Sequence, residues 1–144
     1  MPVTNQAAIF LPVLALVLLT LIAFVRLAAG RTVAAKDPGF DPGYYKAHLG
    51  EAEPEAGRVP ARHWDNLFEF PTLIYAACLT AFVMGAVGVW TLVFAWGFVI
   101  ARVAQSAIHM SYNNTAHRAV GFVLGLVMGF ALWLNVAISI FAAL

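Results

Sequence analysis

Arg62, Asn66 and Glu69 are spaced by four and three residues, and Arg102, Gln105 and His109 by three and four, so each trio shares one face of a helix. The trios also match each other. In two antiparallel helices joined by a tight turn, residues at equal depth have numbers with a constant sum, and Glu69 with Arg102, Asn66 with Gln105 and Arg62 with His109 all give 171. This register predicts three polar pairs stacked along one side of a hairpin, with Glu69 and Arg102 as ion-pair partners. Pairs of amides can simply pin two helices together. A carboxylate and a guanidinium at membrane depth point instead to a site, because apolar side chains would hold a hairpin at least as well. His109 offers a general base, a ligand-binding group or a polar residue satisfied within the bundle, and its place in the row favours ligand binding. Neither His63 nor His117 has a second ligand at a metal-motif spacing, so no metal site is expected.

The elements that must carry these residues follow from composition and charge-free runs. Hydrophobic residues make up 62% of the 144 and charged ones 10%, too little polar surface to cover a water-facing globule. Eight Lys and Arg against seven Asp and Glu leave no basic surface for nucleic acid. Cys78 is the only cysteine, which excludes an internal disulfide framework. A bilayer core of about 30 Å needs roughly 20 apolar residues of helix. Met1 to Val25 and Ala119 to Leu144 each hold one span, whereas Phe70 to Ala101, 32 residues without charge, is too long for one and too short for two. That middle run reads as a hairpin reversed at Gly85-Ala86-Val87-Gly88, with the charged trios drawn inward at its open end. The expectation is an all-α membrane protein: a single domain, a four-transmembrane-helix bundle with helices at about 7–29, 66–86, 89–112 and 117–143 and a loop over 30–65. With a rise of ~1.5 Å per residue, Glu69 and Arg102 lie on the order of 24 Å from the turn, near the far edge of the hydrocarbon. The first basic residue, Arg26, follows the first apolar run, so that run is expected to be a permanent span rather than a cleaved leader.

Lys and Arg flank only one end of these spans, in the long loop, at the end of the first helix and at Arg118. The loop is therefore expected in the cytoplasm, with both termini on the opposite side. Within it, Asp37-Pro38-Gly39 and Asp41-Pro42-Gly43 read as successive turns. Gly121, Gly125 and Gly129 form a small-residue stripe for close helix packing, and Asn135 offers a hydrogen bond across an interface. Arg118 opens the last helix either as a headgroup-seeking anchor or as a site residue, with Asn114 or Thr115 as its cap.

Arg62-His63-Trp64-Asp65-Asn66-Leu67-Phe68-Glu69-Phe70-Pro71 resembles the Arg, Asn, Glu and Pro signature that starts the second helix of the MAPEG family, membrane proteins of eicosanoid and glutathione metabolism. Arg102-Val103-Ala104, with Arg118 sixteen residues later, is similar to that family's third helix and the arginine that opens its fourth. The resemblance covers nearly the whole chain. It implies a homotrimer in the lipid bilayer that binds glutathione between subunits near the cytoplasmic side. By motif position Arg62, Asn66, Glu69 and Arg102 would hold the tripeptide, and Arg118 would be the catalytic residue that stabilises its thiolate. Gln105 and His109 would join them, standing where the family's eicosanoid enzymes carry histidine or tyrosine, and Arg31 would contact a carboxylate. Two carboxylates, an ammonium and a thiol suit several guanidinium groups and one carboxylate. An arginine and a helix N-terminus beside the thiol increase its thiolate fraction. The implied activity is that of a glutathione-dependent transferase or peroxidase acting on lipophilic electrophiles. Ala119 and Phe122 stand where the family has serine and tyrosine, which leaves a noncatalytic membrane scaffold or lipid-binding protein as the alternative. A transporter ranks behind both, because the pattern shows no broken helix and no inverted repeat.

Overall fold

The second apolar span cannot be one straight helix. Pro71 has no N–H to offer the carbonyl of Leu67 and its ring crowds that carbonyl, so the helix breaks just before it. In a computed structural model that describes residues 5–144, leaving Met1 to Thr4 of the first apolar run outside the described residues, the break falls at Glu69, with φ −79° and ψ −100°. Helix α1, Phe10–Ala34, follows a 3₁₀ turn at Gln6–Ile9. After the loop and a second 3₁₀ turn at Pro42–Lys46 come α2, Glu55–Phe68, and α3, Phe70–Val83; α4 is Val89–Met110 and α5 is Thr115–Ala142. Four stretches are long and apolar enough to cross a membrane, with α2 and α3 sharing the second. The all-α, four-span architecture is as expected, whereas the unbroken helix over 66–86 is replaced by an elbow.

Two boundaries also move. The first helix runs on to Ala34 rather than ending near 29, and α2 begins at Glu55, taking the last eleven residues of the expected loop. The charges that read as loop mark the outer face of an amphipathic helix: Arg58, Arg62 and Asp65 are exposed while Gly57, His63 and Leu67 are buried. Gly30 brings α1 against this helix, since a Cβ there would lie 2.3 Å from the Ala56 carbonyl oxygen and 2.9 Å from Pro60 Cγ. Pro60 cannot donate to the Ala56 carbonyl, so the oxygen that meets Gly30 is one its own helix leaves without a partner.

The hairpin turn lies where the paired glycines put it, with Gly85 at φ +64°. The Gln6 carboxamide clamps it, donating to the Val87 carbonyl at 3.2 Å and accepting from the Val87 N–H at 2.9 Å. The core gathers Leu16 of α1, Ile74 and Ala77 of α3, Phe98 of α4 and Leu132 and Val136 of α5. The glycine stripe of α5 packs inside the chain, Gly121 against Gln105, Gly125 against Phe98 and Arg102, and Gly129 against Phe70 and Ile74. Asn135 likewise bonds within the chain, accepting from the Thr91 hydroxyl at 2.8 Å. In the loop, Asp37 and Asp41 accept from the Gly39 and Gly43 N–H groups at 3.0 and 2.8 Å, so both expected turns form.

Candidate functional site

Because α2 stops at Phe68, its last carbonyls lack helical partners, and Asn66 carries one of them. Arg102, on the buried face of α4 and 2% exposed, fills that vacancy by donating from Nη2 to the Asn66 carbonyl. Its Nη1 donates to Gln105 Oε1 at 2.6 Å. The guanidinium lies 5.8 and 6.0 Å from the Phe98 and Phe122 ring centres. Its stem packs against Gly125, where a Cβ would meet Arg102 Cδ at an ordinary 3.6 Å.

The expected Glu69–Arg102 ion pair is not formed. Among the described residues the one ion pair is Arg31 with Glu53, and Glu69 is exposed at the elbow, acting on Arg102 only from beyond contact distance. The constant-sum register assumes straight helices, and the nonhelical backbone at Glu69 ends that periodicity. It also fails at the third pair: Arg62 is exposed, and its neighbour His63 meets His109 instead, ring centres 4.9 Å apart and each residue 3% exposed. Only the middle pair survives in modified form, with Arg102 linking Gln105 to the Asn66 backbone.

Helix α5 is capped by Asn114, whose Oδ1 accepts from the His117 N–H at 3.1 Å, so Thr115 is not the cap. Asn113 sits at φ +49°, a left-handed conformation that asparagine tolerates, and its N–H closes α4 by donating to the Ile108 carbonyl at 2.8 Å. That placement lets Asn113 Oδ1 accept from Arg118 Nη1 at 2.7 Å. Arg118 then borders a cavity of about 170 Å³ with Asn66, Gln105, Thr115, Ala119 and Phe122, and its buried Nε has no partner among the described residues. A guanidinium, two amides and the positive end of a helix around one space can hold an anionic group.

Arg31 is elsewhere. Its Nε lies 3.6 Å from Glu53 Oε1 and its guanidinium 5.2 Å from the centre of the Tyr45 ring, whose hydroxyl donates to Glu53 at 2.6 Å. Burial, and then the hydrogen bond to and charge of Glu53, push the Tyr45 phenol up to about 12. A second cavity, of about 230 Å³, is lined by Arg26, Glu55, His63, His109, Ser111 and Asn113 among others. Of the expected site residues, Asn66, Gln105, Arg102 and Arg118 come together, His109 faces the adjoining cavity, and Arg31, Arg62 and Glu69 line neither. Sequence reasoning missed Glu53, His63, Asn113 and Thr115. Only Asn113 had a signal, as an asparagine between two helices at a position that favours a left-handed residue.

Residues 9–138 match the family model described as the MAPEG family. The chain belongs to the MAPEG family. Neither a curated protein nor a solved structure matches it. As a MAPEG chain with four candidate spans it is an integral, multi-pass membrane protein of the family that serves glutathione and eicosanoid metabolism. Ala119 and Phe122 line the cavity without a hydroxyl, and Thr115 of the same helix lines it as well.

Proposed function

We propose that this MAPEG protein is a glutathione-dependent transferase or peroxidase acting on lipophilic electrophiles that reach it from the bilayer. The observation that carries this reading is Arg118, a guanidinium in the first turn of α5, oriented by Asn113 and bordering a cavity with an unpartnered Nε. Arg118 and the helix N-terminus favour a thiolate over a thiol there, which makes the sulfur nucleophilic at neutral pH. Asn66 and Gln105 bind the surrounding polar atoms, with Arg102 holding Gln105 in place.

The cavity is smaller than the roughly 300–1,000 Å³ of ordinary ligand pockets, so one chain encloses the thiol end and a neighbouring copy covers the remainder. Arg62 and Glu69, exposed near the elbow of a membrane span, support the same conclusion because groups of this kind need partners. They and His109 complete the glutathione site at the boundary of a homotrimer, at the end of the bundle that faces the cytoplasm, with both termini on the opposite side. Arg31, held by Glu53, is left out of this set.

Purified protein is expected to bind glutathione calorimetrically and to develop the ultraviolet absorbance of a thiolate, which Arg118→Ala abolishes while binding persists. Undiminished thiolate in that variant rejects the role given to Arg118. The hydroxyl-free Ala119 and Phe122 favour a second reading, a noncatalytic scaffold or lipid-binding protein on the same fold. Binding of glutathione without turnover of any electrophile or hydroperoxide in a panel would support it.

A further inference from the structure

Two buried rings line the second cavity with nothing to bond. His63, on the inner face of α2, and His109, in the last turn of α4, are each 3% exposed, and their ring centres lie 4.9 Å apart. His63 Nε2 and both ring nitrogens of His109 have no hydrogen-bond partner among the described residues. Buried polar atoms are ordinarily paired, so three unmet nitrogens at one cavity mark the place of a group the chain does not supply. Charge narrows its chemistry. Arg102 and Arg118 act on His63, and Arg62 and Arg118 on His109, while among the described residues neither ring is paired with a carboxylate. A cationic ring would thus be buried among guanidinium groups, so both rings are neutral. A neutral imidazole offers one N–H donor and one bare acceptor, and a hydroxyl group can accept from the first and donate to the second.

Water alone fits poorly. A volume of about 230 Å³ takes roughly seven water molecules at about 30 Å³ each, and along Val59 and Pro60 of the wall they would find no polar partner. A carbon skeleton covers that wall while its hydroxyls meet the nitrogens. Arg26 and Glu55, both exposed, also line the cavity, and their opposite signs give no net charge to select an ion. Arg26 is partly engaged already, donating from Nη2 to the Met110 carbonyl at 3.1 Å. We propose that the second cavity binds an uncharged polyhydroxyl group of about the size of glycerol, held by neutral His63 and His109. Two sources carry that chemistry, a free polyol in solution and the glycerol end of a neutral lipid such as a monoacylglycerol. The site stands independently of the glutathione reading, with which it shares His109.

The test uses full-length protein carrying His48→Gln and His117→Gln, so that of the four histidines only His63 and His109 report. It is held in dodecylphosphocholine micelles, which bring no hydroxyl. Isotope-labelled imidazole nitrogens are followed by nuclear magnetic resonance as glycerol or monooleoylglycerol is added, with methyl oleate as the hydroxyl-free blank. Saturating shifts of both rings with at least one of the two alcohols, and none with methyl oleate, are expected, and the alcohol that saturates names the source. His63→Phe keeps an aromatic ring without its nitrogens and should weaken that binding at least about fivefold. No saturating shift with either alcohol overturns the site. Shifts of the same rings by glutathione in place of the alcohols also overturn it, and assign the cavity to the tripeptide. If His63→Phe does not fold, saturation against the blank decides alone.

Discussion

Replacing Arg102 with methionine keeps the volume of the side chain and removes its two hydrogen bonds, one to Gln105 and one to the Asn66 carbonyl. Hydrogen bonds from a charged donor are worth roughly 1.5–3 kcal/mol each. The two acceptors respond differently to the loss. Gln105 can turn its amide toward the Arg118 cavity that it lines, but the Asn66 carbonyl is fixed by the end of α2 and stays unpaired. Relief from burying a charge offsets part of the cost, leaving an expected destabilisation of about 2–4 kcal/mol. Unfolding in mixed micelles with rising SDS measures it. Arg102→Lys retains the charge but reaches one acceptor instead of two, and is expected to fall between wild type and Arg102→Met. In a double-mutant cycle with Gln105→Leu, the coupling should be about 1–2 kcal/mol. Stability of Arg102→Met within about 0.5 kcal/mol of wild type, or no coupling to Gln105, would refute the role of this arginine as the plug for a carbonyl freed by the elbow.

Gly129→Val is expected to cost about 1–3 kcal/mol by overpacking, since even a Cβ there falls 2.5 Å from Phe70 Cε1 and 2.9 Å from Ile74 Cδ1. Gly125→Ala, whose nearest contact would be 3.6 Å, should be tolerated, and equal effects in the same SDS assay would contradict the packing described. Asn113→Gly keeps the left-handed turn while freeing Arg118, so it should lower the thiolate signal with glutathione and leave stability within about 0.5 kcal/mol. Loss of stability without loss of thiolate would reverse that assignment. Tyr45 should ionise near 12 rather than its ordinary 10, read as the difference in phenolate absorbance between wild type and Tyr45→Phe. The folded protein holds that proton more tightly, so the stability from the Tyr45–Glu53 contact is fully present below pH 10 and is lost as pH climbs to about 12. Glu53→Gln should lower the midpoint, and a midpoint of 10 in both proteins would exclude the contact.

The Arg118 cavity shows how far motif spacing reaches. Asn66, Gln105 and Arg118 were legible because each lies on a helix whose direction the apolar runs impose, and they converge at the charged end of the bundle. Their neighbours were not. Thr115 faces the cavity because Asn114 has taken the capping position, and Asn113 orients Arg118 because it alone adopts a left-handed conformation between two helices. The sequence offers Asn114 and Thr115 equally as the cap and marks Asn113 as a left-handed candidate, but it does not say which of them meets Arg118. The place of Arg31 was hidden for a similar reason, since its partner Glu53 sits in a loop that also carries the Phe40, Tyr44 and Tyr45 cluster.

The order of the residues was enough to determine that the chain lives in a bilayer, how many times it crosses, where its hairpin reverses and which end collects the charge. These follow from transfer free energies and turn preferences that each segment carries with it, whatever its neighbours do. Which polar group meets which was decided only in three dimensions. Successive residues on a helix point about 100° apart, so the single break ahead of Pro71 was enough to withdraw Glu69 from Arg102, exchange Arg62 for His63 opposite His109 and give the arginine a backbone carbonyl in place of a carboxylate.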